Sequence, residues 1–169
     1  AGTLYKARAL QYANEVSDLA DDGWVLHLDE ESHPTAGLIG GVRDFVMDCI
    51  EDGENRIGQG CILYHRQLEQ NPFLTLADSL RTGDDVSRFY VQYRAGIALF
   101  GMHGSFILVR NDVSKSVGFD FGAEGSITED AWWAYAQLED GTSFGWVDGY
   151  VVEQAPQTVM DFVRQRRRW

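Results

Sequence analysis

The sequence is short of basic residues and of cysteine. It holds 14 lysines and arginines against 26 aspartates and glutamates, which gives a formal charge of −12 over 169 residues. A field of this sign repels phosphate, so direct nucleic-acid binding and attachment to an anionic membrane are both unfavourable. Cys49 and Cys61 are too few for a disulfide framework. We therefore expect free thiols in a reducing compartment and a cytoplasmic location.

Long apolar runs are also missing. No stretch approaches the roughly 18 apolar residues of a membrane-spanning helix, and no basic-then-apolar signal segment opens the chain. Internal repeats, linkers and low-complexity tracts are likewise absent from the sequence. The composition is 44% hydrophobic and 12% aromatic, which is enough to build a core. The length suits one domain, so residues 1–169 are predicted to form a single domain.

Hydrophobic periodicity predicts both helices and strands in the first half of the chain. The predicted helices cover residues 3–20, 36–51 and 72–81, and the predicted strands cover residues 24–29 and 57–66. Further along, an Asp140-Gly141 turn between two apolar segments predicts a β-hairpin.

These patterns predict an α+β fold. The expected division is into α-rich residues 1–81, β-rich residues 82–153 and a C-terminal helix over residues 156–168. In the expected architecture the N-terminal helices pack on a mainly antiparallel sheet, and the C-terminal helix completes the domain.

One group of acidic side chains has an arrangement that helix energetics disfavour. Asp44, Asp48 and Asp52 lie at i, i+4 and i+8 on the second predicted helix, with Glu51 beside them. Like charges at this spacing repel, and carboxylates near a helix C-terminus oppose the helix dipole, each by roughly 0.3 kcal/mol or more. We interpret these acids as a docking surface for a basic protein partner, with Trp132 as an aromatic anchor.

A second group of side chains could hold a metal ion. His27, Asp29, Glu31 and His33 alternate along a predicted strand and would share one face at a spacing of about 6.6–7 Å. Such a set could bind zinc, or iron with open positions. The same pattern also suits a solvent-exposed strand edge whose charges discourage aggregation. We favour the exposed edge, so His27 and Asp29 are secondary metal candidates, and no cofactor is predicted.

Cys61 could act as a nucleophile if the fold brings a histidine to it. His65 lies on the same predicted strand face but about 13 Å away, whereas a base must approach a thiol to about 3 Å. His103, in a glycine-bracketed loop, could supply that base. A site built on Cys61 and His103, or on His27 and Asp29, would make the chain a small hydrolase or transferase. No residue is assigned a catalytic role.

The last third of the sequence contains Tyr135–Gly141, Val152-Glu153, Val159–Phe162 and a final Arg167-Arg168-Trp169. This ending resembles that of a family of bacterial toxin-immunity proteins. The resemblance implies a small α+β domain that neutralises a toxin and carries no catalysis. Together with the charge, it favours an acidic, non-catalytic protein that inhibits a basic protein partner. The alternatives are the small enzyme described above and a phage or host interaction module, including a nucleic-acid mimic.

Overall fold

The computed structural model describes residues 4–66, 68–123, 125 and 127–167. The helices are α1 (Tyr5–Val16), α2 (Ala36–Asp52), α3 (Pro72–Asp84), α4 (Tyr90–Arg94), α5 (Asn111–Val117), α6 (Glu129–Glu139) and α7 (Val159–Arg166). The strands are β1 (Trp24–Leu28), β2 (His33–Pro34), β3 (Ile57–Leu63), β4 (Phe106–Arg110) and β5 (Phe144–Val152). A π-helical turn, Asp85–Phe89, connects α3 to α4 without a break.

The five strands form one mixed sheet in the order β1-β4-β3-β5-β2. The pairings of β1 with β4, β3 with β4, and β2 with β5 are antiparallel. The central pairing of β3 with β5 is parallel, and the long connection between these two strands contains most of the helices. The predicted α+β class with a mainly antiparallel sheet is therefore confirmed.

The central strands are buried on both faces because helices cover the sheet on both sides. Along β4, Ile107 and Val109 pack in a core with Trp133 of α6, whereas Phe106 and Leu108 pack in a second core under α2. Burial on both faces explains why this strand is a continuous apolar run and not an alternating pattern.

Helix α2 agrees closely with its prediction. Thr35 caps its start, since the Thr35 side chain accepts a hydrogen bond from the Leu38 amide at 3.3 Å, and Gly53 ends it in the left-handed conformation. The helix backbone approaches β5 very closely. A Cβ atom on Gly41 would lie 1.6 Å from the carbonyl oxygen of Asp148, so only glycine fits at that position.

Helix α3 begins at the predicted proline but turns a different face inward. Phe73, Leu76 and Leu80 satisfy the apolar helical spacing, yet they are 74%, 62% and 78% exposed. Apolar spacing by itself therefore does not identify the buried face of this helix. The buried face carries Asp78 instead, which pairs with Arg166 of α7 and lies 4.0 Å from Arg81.

The β-rich description of residues 82–153 is wrong over much of its length, because α4, α5, α6 and the π-helical turn lie there. The predicted hairpin at Asp140-Gly141 is also wrong. The segment before this turn is α6, which buries Trp133, Ala134 and Gln137 on one helical face. The segment after it is β5, which pairs with β3 and not with its sequence neighbour.

The C-terminal helix is shorter than predicted and begins at Val159. Across the residues that the structure describes, no helix is both long enough and apolar enough to cross a membrane.

Candidate functional site

A cavity of about 690 Å³ opens at one edge of the sheet. Leu28 at the end of β1 lies opposite Phe106 at the start of β4, and Leu63 at the end of β3 lies beside Val152 at the end of β5. The carboxyl ends of three strands therefore meet at this edge. A crevice outside the carboxyl ends of strands is a common ligand site in sheets with helical layers.

Acidic side chains dominate the cavity, and basic side chains lie among them. The lining carboxylates, here called the cavity acids, are Asp29, Glu31, Asp84, Glu129, Asp130 and Glu153. The lining cations are Lys6, Arg81, Arg88 and Arg166. The six acids come from four separate parts of the chain, so only the fold assembles them.

Lys6 of α1 joins two groups of cavity acids. Its ammonium forms an ion pair with Asp29, donates to the Gly104 carbonyl oxygen at 3.2 Å, and lies 3.9 Å from the Glu129 carboxylate. Burial by itself lowers the pKa of Lys6, but the carboxylates of Asp29, Glu129 and Asp130 together more than offset this, and the pKa is raised. The Lys6 ammonium therefore partly compensates the negative charge of the site.

Two adjacent carboxylates lie at the start of α6. Asp130 accepts a hydrogen bond from the Gly104 amide at 2.9 Å and another from the Ala131 amide at 2.8 Å, so its carboxylate is held in one orientation. Glu129 is 7% exposed, and burial, followed by the charge of Asp130, raises the pKa of its carboxyl. The two neighbours thus differ in burial although both line the cavity.

Glu153 is the buried acid on the β5 side. It directly follows the strand, and its carboxylate accepts a hydrogen bond from the Ser32 hydroxyl at 2.8 Å. Burial raises the pKa of Glu153, and hydrogen bonds from Ser105 and Ser32 counteract part of that rise. Ser32 belongs to the turn after Asp29, so this bond ties together the ends of β1 and β5.

Buried polar side chains fix the loop that precedes β4. Tyr93 donates its hydroxyl hydrogen to the Gly101 carbonyl at 2.7 Å, and Gln59 accepts a hydrogen bond from the His103 amide at 2.7 Å. Gly101 has a φ of 74°, a conformation that favours glycine. These contacts hold His103 and Gly104 at the cavity wall, where rigid support favours precise positioning.

The acids that were predicted to bind a partner lie elsewhere. Asp44, Asp48, Glu51 and Asp52, here called the α2 acids, are all exposed on α2, and none of them lines the cavity. Trp132 is 50% exposed and stacks on Phe121 with a ring-centroid distance of 6.3 Å.

The two secondary metal candidates have different surroundings in the fold. Asp29 lines the cavity, whereas His27 packs against the Phe119 ring, 5.9 Å away between centroids. Burial, and then the charge of Lys6, lowers the pKa of His27 to about 4. His33 belongs to β2 and contacts Arg66, so the four alternating residues do not share one strand. No group of three or more His, Cys, Asp or Glu side chains within the described ranges is arranged to hold a metal ion.

Cys61 is not an activated nucleophile. Burial, followed by the charge of Asp85, raises the pKa of its thiol to about 11, so almost no thiolate exists at neutral pH. His65 is exposed, and of the four histidines only His103 lines the cavity.

Sequence reasoning missed most of the site. In the sequence, nothing beyond their charge marked Lys6, Glu129 and Asp130. Glu153 appeared only within the segment that resembles the immunity proteins. Acids directly after an apolar strand, such as Asp29, were the available signal. The pairing of β5 with β3 could not be read from the sequence, so the convergence of Glu153 with Asp29 was hidden.

Comparison with known sequences identifies the class. The chain belongs to glycosyl transferase family group 2, because the model of that family matches residues 24–169. The chain is 38% identical, over 99% of its length, to a β-1,4-mannosyltransferase of Drosophila melanogaster, of which it covers 36%. It is 37% identical over the same share to a β-1,4-mannosyltransferase of Caenorhabditis elegans, of which it covers 37%. The chain thus spans just over a third of the length of these relatives.

This membership corrects the function predicted from the sequence. The resemblance to bacterial toxin-immunity proteins is wrong, since the family is one of transferases and the matched relatives are animal proteins. The prediction of a non-catalytic inhibitor is wrong for the same reason. The alternative of a small transferase agrees better with the family. The inhibitor was predicted from the net charge of the chain. Net charge does not distinguish the cavity acids from the exposed α2 acids, and this caused the error.

Proposed function

We propose that the cavity is part of a glycosyltransferase active site that transfers a mannosyl group to the 4-hydroxyl of an acceptor sugar. Family membership and the names of the relatives support this reaction. The observation that carries the proposal is Asp130, a carboxylate that lines the cavity and is oriented by two backbone amides.

Asp130 is the proposed general base. An acceptor hydroxyl is a weak nucleophile, and a carboxylate within about 3 Å of its hydrogen can remove the proton as the new bond forms. Glu129 is less suited to this role because it is only 7% exposed and its carboxylate lies 3.9 Å from the Lys6 ammonium. Its proposed contribution is to hold Lys6, which also contacts the loop of Gly104.

The proposed reaction is a single in-line displacement. The acceptor oxygen attacks the anomeric carbon as its proton passes to Asp130. The bond from that carbon to the leaving phosphate oxygen breaks, and the departing nucleoside diphosphate takes the electron pair. An α-linked donor then gives a β-linked product, and inversion of this kind needs only one base.

The donor diphosphate must be accommodated among carboxylates. Asp29 and Glu31 offer only oxygen ligands, which suit Mg²⁺ or Mn²⁺, and such ions are commonly held by one or two carboxylates together with substrate phosphates. Asp29 and Glu31 would hold a divalent cation with the diphosphate, and the cation would offset the charge of the leaving group. Lys6 and the lining arginines add positive charge at the same cavity.

The test is transfer of mannose from guanosine diphosphate mannose to a panel of octyl β-glycosides, with uridine diphosphate glucose as the competing donor. We expect Asp130→Asn to lower kcat by about 100- to 10,000-fold, the usual contribution of a general base. The matched control is Asp48→Asn, which removes the same charge from an exposed helix position and should leave the rate unchanged. Equal activity of Asp130→Asn and the wild type would rule out this assignment of the base. Absence of transfer by the wild type from either donor would refute the proposed function.

A further inference from the structure

The π-helical turn Asp85–Phe89 directs an acidic side chain into the interior. π-Helical turns are rare and are frequently found at functional sites. Asp85 is fully buried, and one of its carboxylate oxygens accepts a hydrogen bond from the Ile62 amide of β3 at 2.9 Å. The second oxygen of this buried carboxylate lies 2.8 Å from Nε2 of His103. This short distance places the His103 ring directly against the buried carboxylate.

His103 is held on several sides while it lines the cavity. Its Nε2 faces Asp85, its ring lies 4.5 Å from the Phe89 ring, and its backbone amide donates to Gln59. Because Nε2 lies against the buried carboxylate, Nδ1 is the ring nitrogen that remains for a ligand of the cavity. An imidazole nitrogen can accept a hydrogen or donate one, and a hydroxyl group can complement either role. Nδ1 therefore suits a sugar hydroxyl.

The position of His103 along the chain indicates whether it contacts the donor sugar or the acceptor sugar. The next residue, Gly104, binds the carboxylate of Asp130 through its amide. Under the proposed function, the reacting acceptor hydroxyl lies within about 3 Å of Asp130. A second hydroxyl of the same sugar ring is then within reach of the neighbouring residue of the loop.

We propose that His103 binds a non-reacting hydroxyl of the acceptor sugar, and that Asp85 is a positioning residue that orients the His103 ring. This inference rests on the proposed function and adds an acceptor contact to it. The ligand class is a glycoside with a free hydroxyl beside the one that reacts.

Two substitutions of His103 separate acceptor binding from a structural role. Gln in His103→Gln can reach the position of Nε2 and keep the contact with Asp85, but it has no atom at Nδ1. Asn in His103→Asn has an amide near the position of Nδ1 and cannot reach Asp85. A purely structural histidine predicts that Gln is the better replacement. An acceptor-binding histidine predicts that Gln raises the acceptor KM and that Asn recovers part of the loss.

The experiment uses the intact natural protein with guanosine diphosphate mannose and the octyl β-glycoside that the wild type uses best. We expect His103→Gln to raise the acceptor KM about tenfold, the effect of one lost hydrogen bond. The donor KM and the slow transfer of mannose to water should stay within about twofold, which is the spread expected of a bystander substitution. The control is His65→Gln, an exposed histidine outside the cavity.

Asp85→Asn tests the positioning role, because asparagine keeps an oxygen for the Ile62 amide while it removes the charge facing His103. We expect a smaller rise in acceptor KM than for His103→Gln, and almost no further rise when the two changes are combined, since they act through one contact. An acceptor KM within twofold of wild type for His103→Gln would overturn the inference, as would an equal rise in the donor KM. Either result leaves the proposed function intact. If the wild type transfers no mannose at all, both the proposed function and this inference are refuted.

Discussion

The cavity acids and the α2 acids carry the same charge but occupy different surroundings. The α2 acids are exposed on one helix, and two of them pair with sequence neighbours, Asp44 with Arg43 and Asp52 with Arg56. The cavity acids meet across the fold. Lys6 contacts Asp29 and Glu129, which are 100 residues apart along the chain, and Ser32 binds Glu153.

This difference in surroundings decides what the carboxylates can do. An exposed acid is screened by water and salt, so it contributes little to stability and has an ordinary reactivity. A buried acid must have partners, and its protonation responds to them, as the raised pKa values of Glu129 and Glu153 show. The charge of the chain therefore locates no function until burial is known.

The largest expected effect comes from breaking a buried ion pair beside the cavity. Asp78 is 1% exposed and pairs with Arg166 of α7. We expect Asp78→Ala to lower the free energy of unfolding by about 3–5 kcal/mol, because it breaks an ion pair whose carboxylate is buried. Urea unfolding at pH 7 measures this, with Asp48→Ala as the exposed control, expected to change stability by less than about 0.5 kcal/mol. Similar values for both variants would show that burial does not distinguish these two aspartates.

A smaller effect on the free energy of unfolding is expected from His27, a buried group that stays uncharged. Burial and the Lys6 charge lower the pKa of His27 to about 4, below its ordinary value of 6.5. Between these two pH values the unfolded chain binds a proton that the folded chain does not, so the free energy of unfolding falls as the pH drops from 6.5 to 4. The loss attributable to His27 is up to about 3 kcal/mol.

Thermal or urea unfolding at several pH values tests this prediction. His27→Leu should flatten the curve between pH 6.5 and 4, and His65→Gln, at an exposed position, should not. If the free energy of unfolding of His27→Leu depended on pH as steeply as that of the wild type, the lowered pKa of His27 would be contradicted.

The smallest effect on the free energy of unfolding is expected from a substitution among the α2 acids. In the described part of the chain Asp48 has no ion pair, and it lies one helical turn from both Asp44 and Asp52. Asp48→Asn should raise the free energy of unfolding by about 0.3 kcal/mol at low salt, since it removes two repulsions at i, i+4 spacing. The gain should vanish at about 1 M salt, where the Debye length falls to roughly 3 Å. A loss of stability would mean that the α2 acids have favourable partners.

Local signals predicted some elements well and others badly. Helix α2 has an N-cap at Thr35, a left-handed Gly53 at its end and an apolar stripe, so its bounds follow from neighbouring residues alone. The hairpin at Asp140-Gly141 failed because an apolar segment beside a turn suits both a helix and a strand. Packing of Trp133 on Phe119, with ring centroids 5.3 Å apart, accompanies the helical alternative.

The candidate site was harder to predict than the fold. Asp29 and His103 were noticed, but as members of other candidate groups, Asp29 with His27 and His103 with Cys61. Their actual partners, Lys6 and Asp85, come from other elements and are not near them in the sequence. Neither contact follows from residue spacing, because both depend on how distant strands and helices pack.

The sequence by itself determined the acidic charge, the mixture of helices and strands, and the limits of α2, because these depend on composition and on contacts within a few residues. Only the tertiary structure decided which acids meet in the cavity. The parallel pairing of β3 with β5 and the antiparallel pairing of β1 with β4 bring Asp29, Glu153 and the loop of His103 to one sheet edge. Burial at that edge raises the pKa of Glu129 and Glu153, and it brings cavity acids against partners from distant parts of the chain, whereas the ion pairs of the α2 acids are with sequence neighbours.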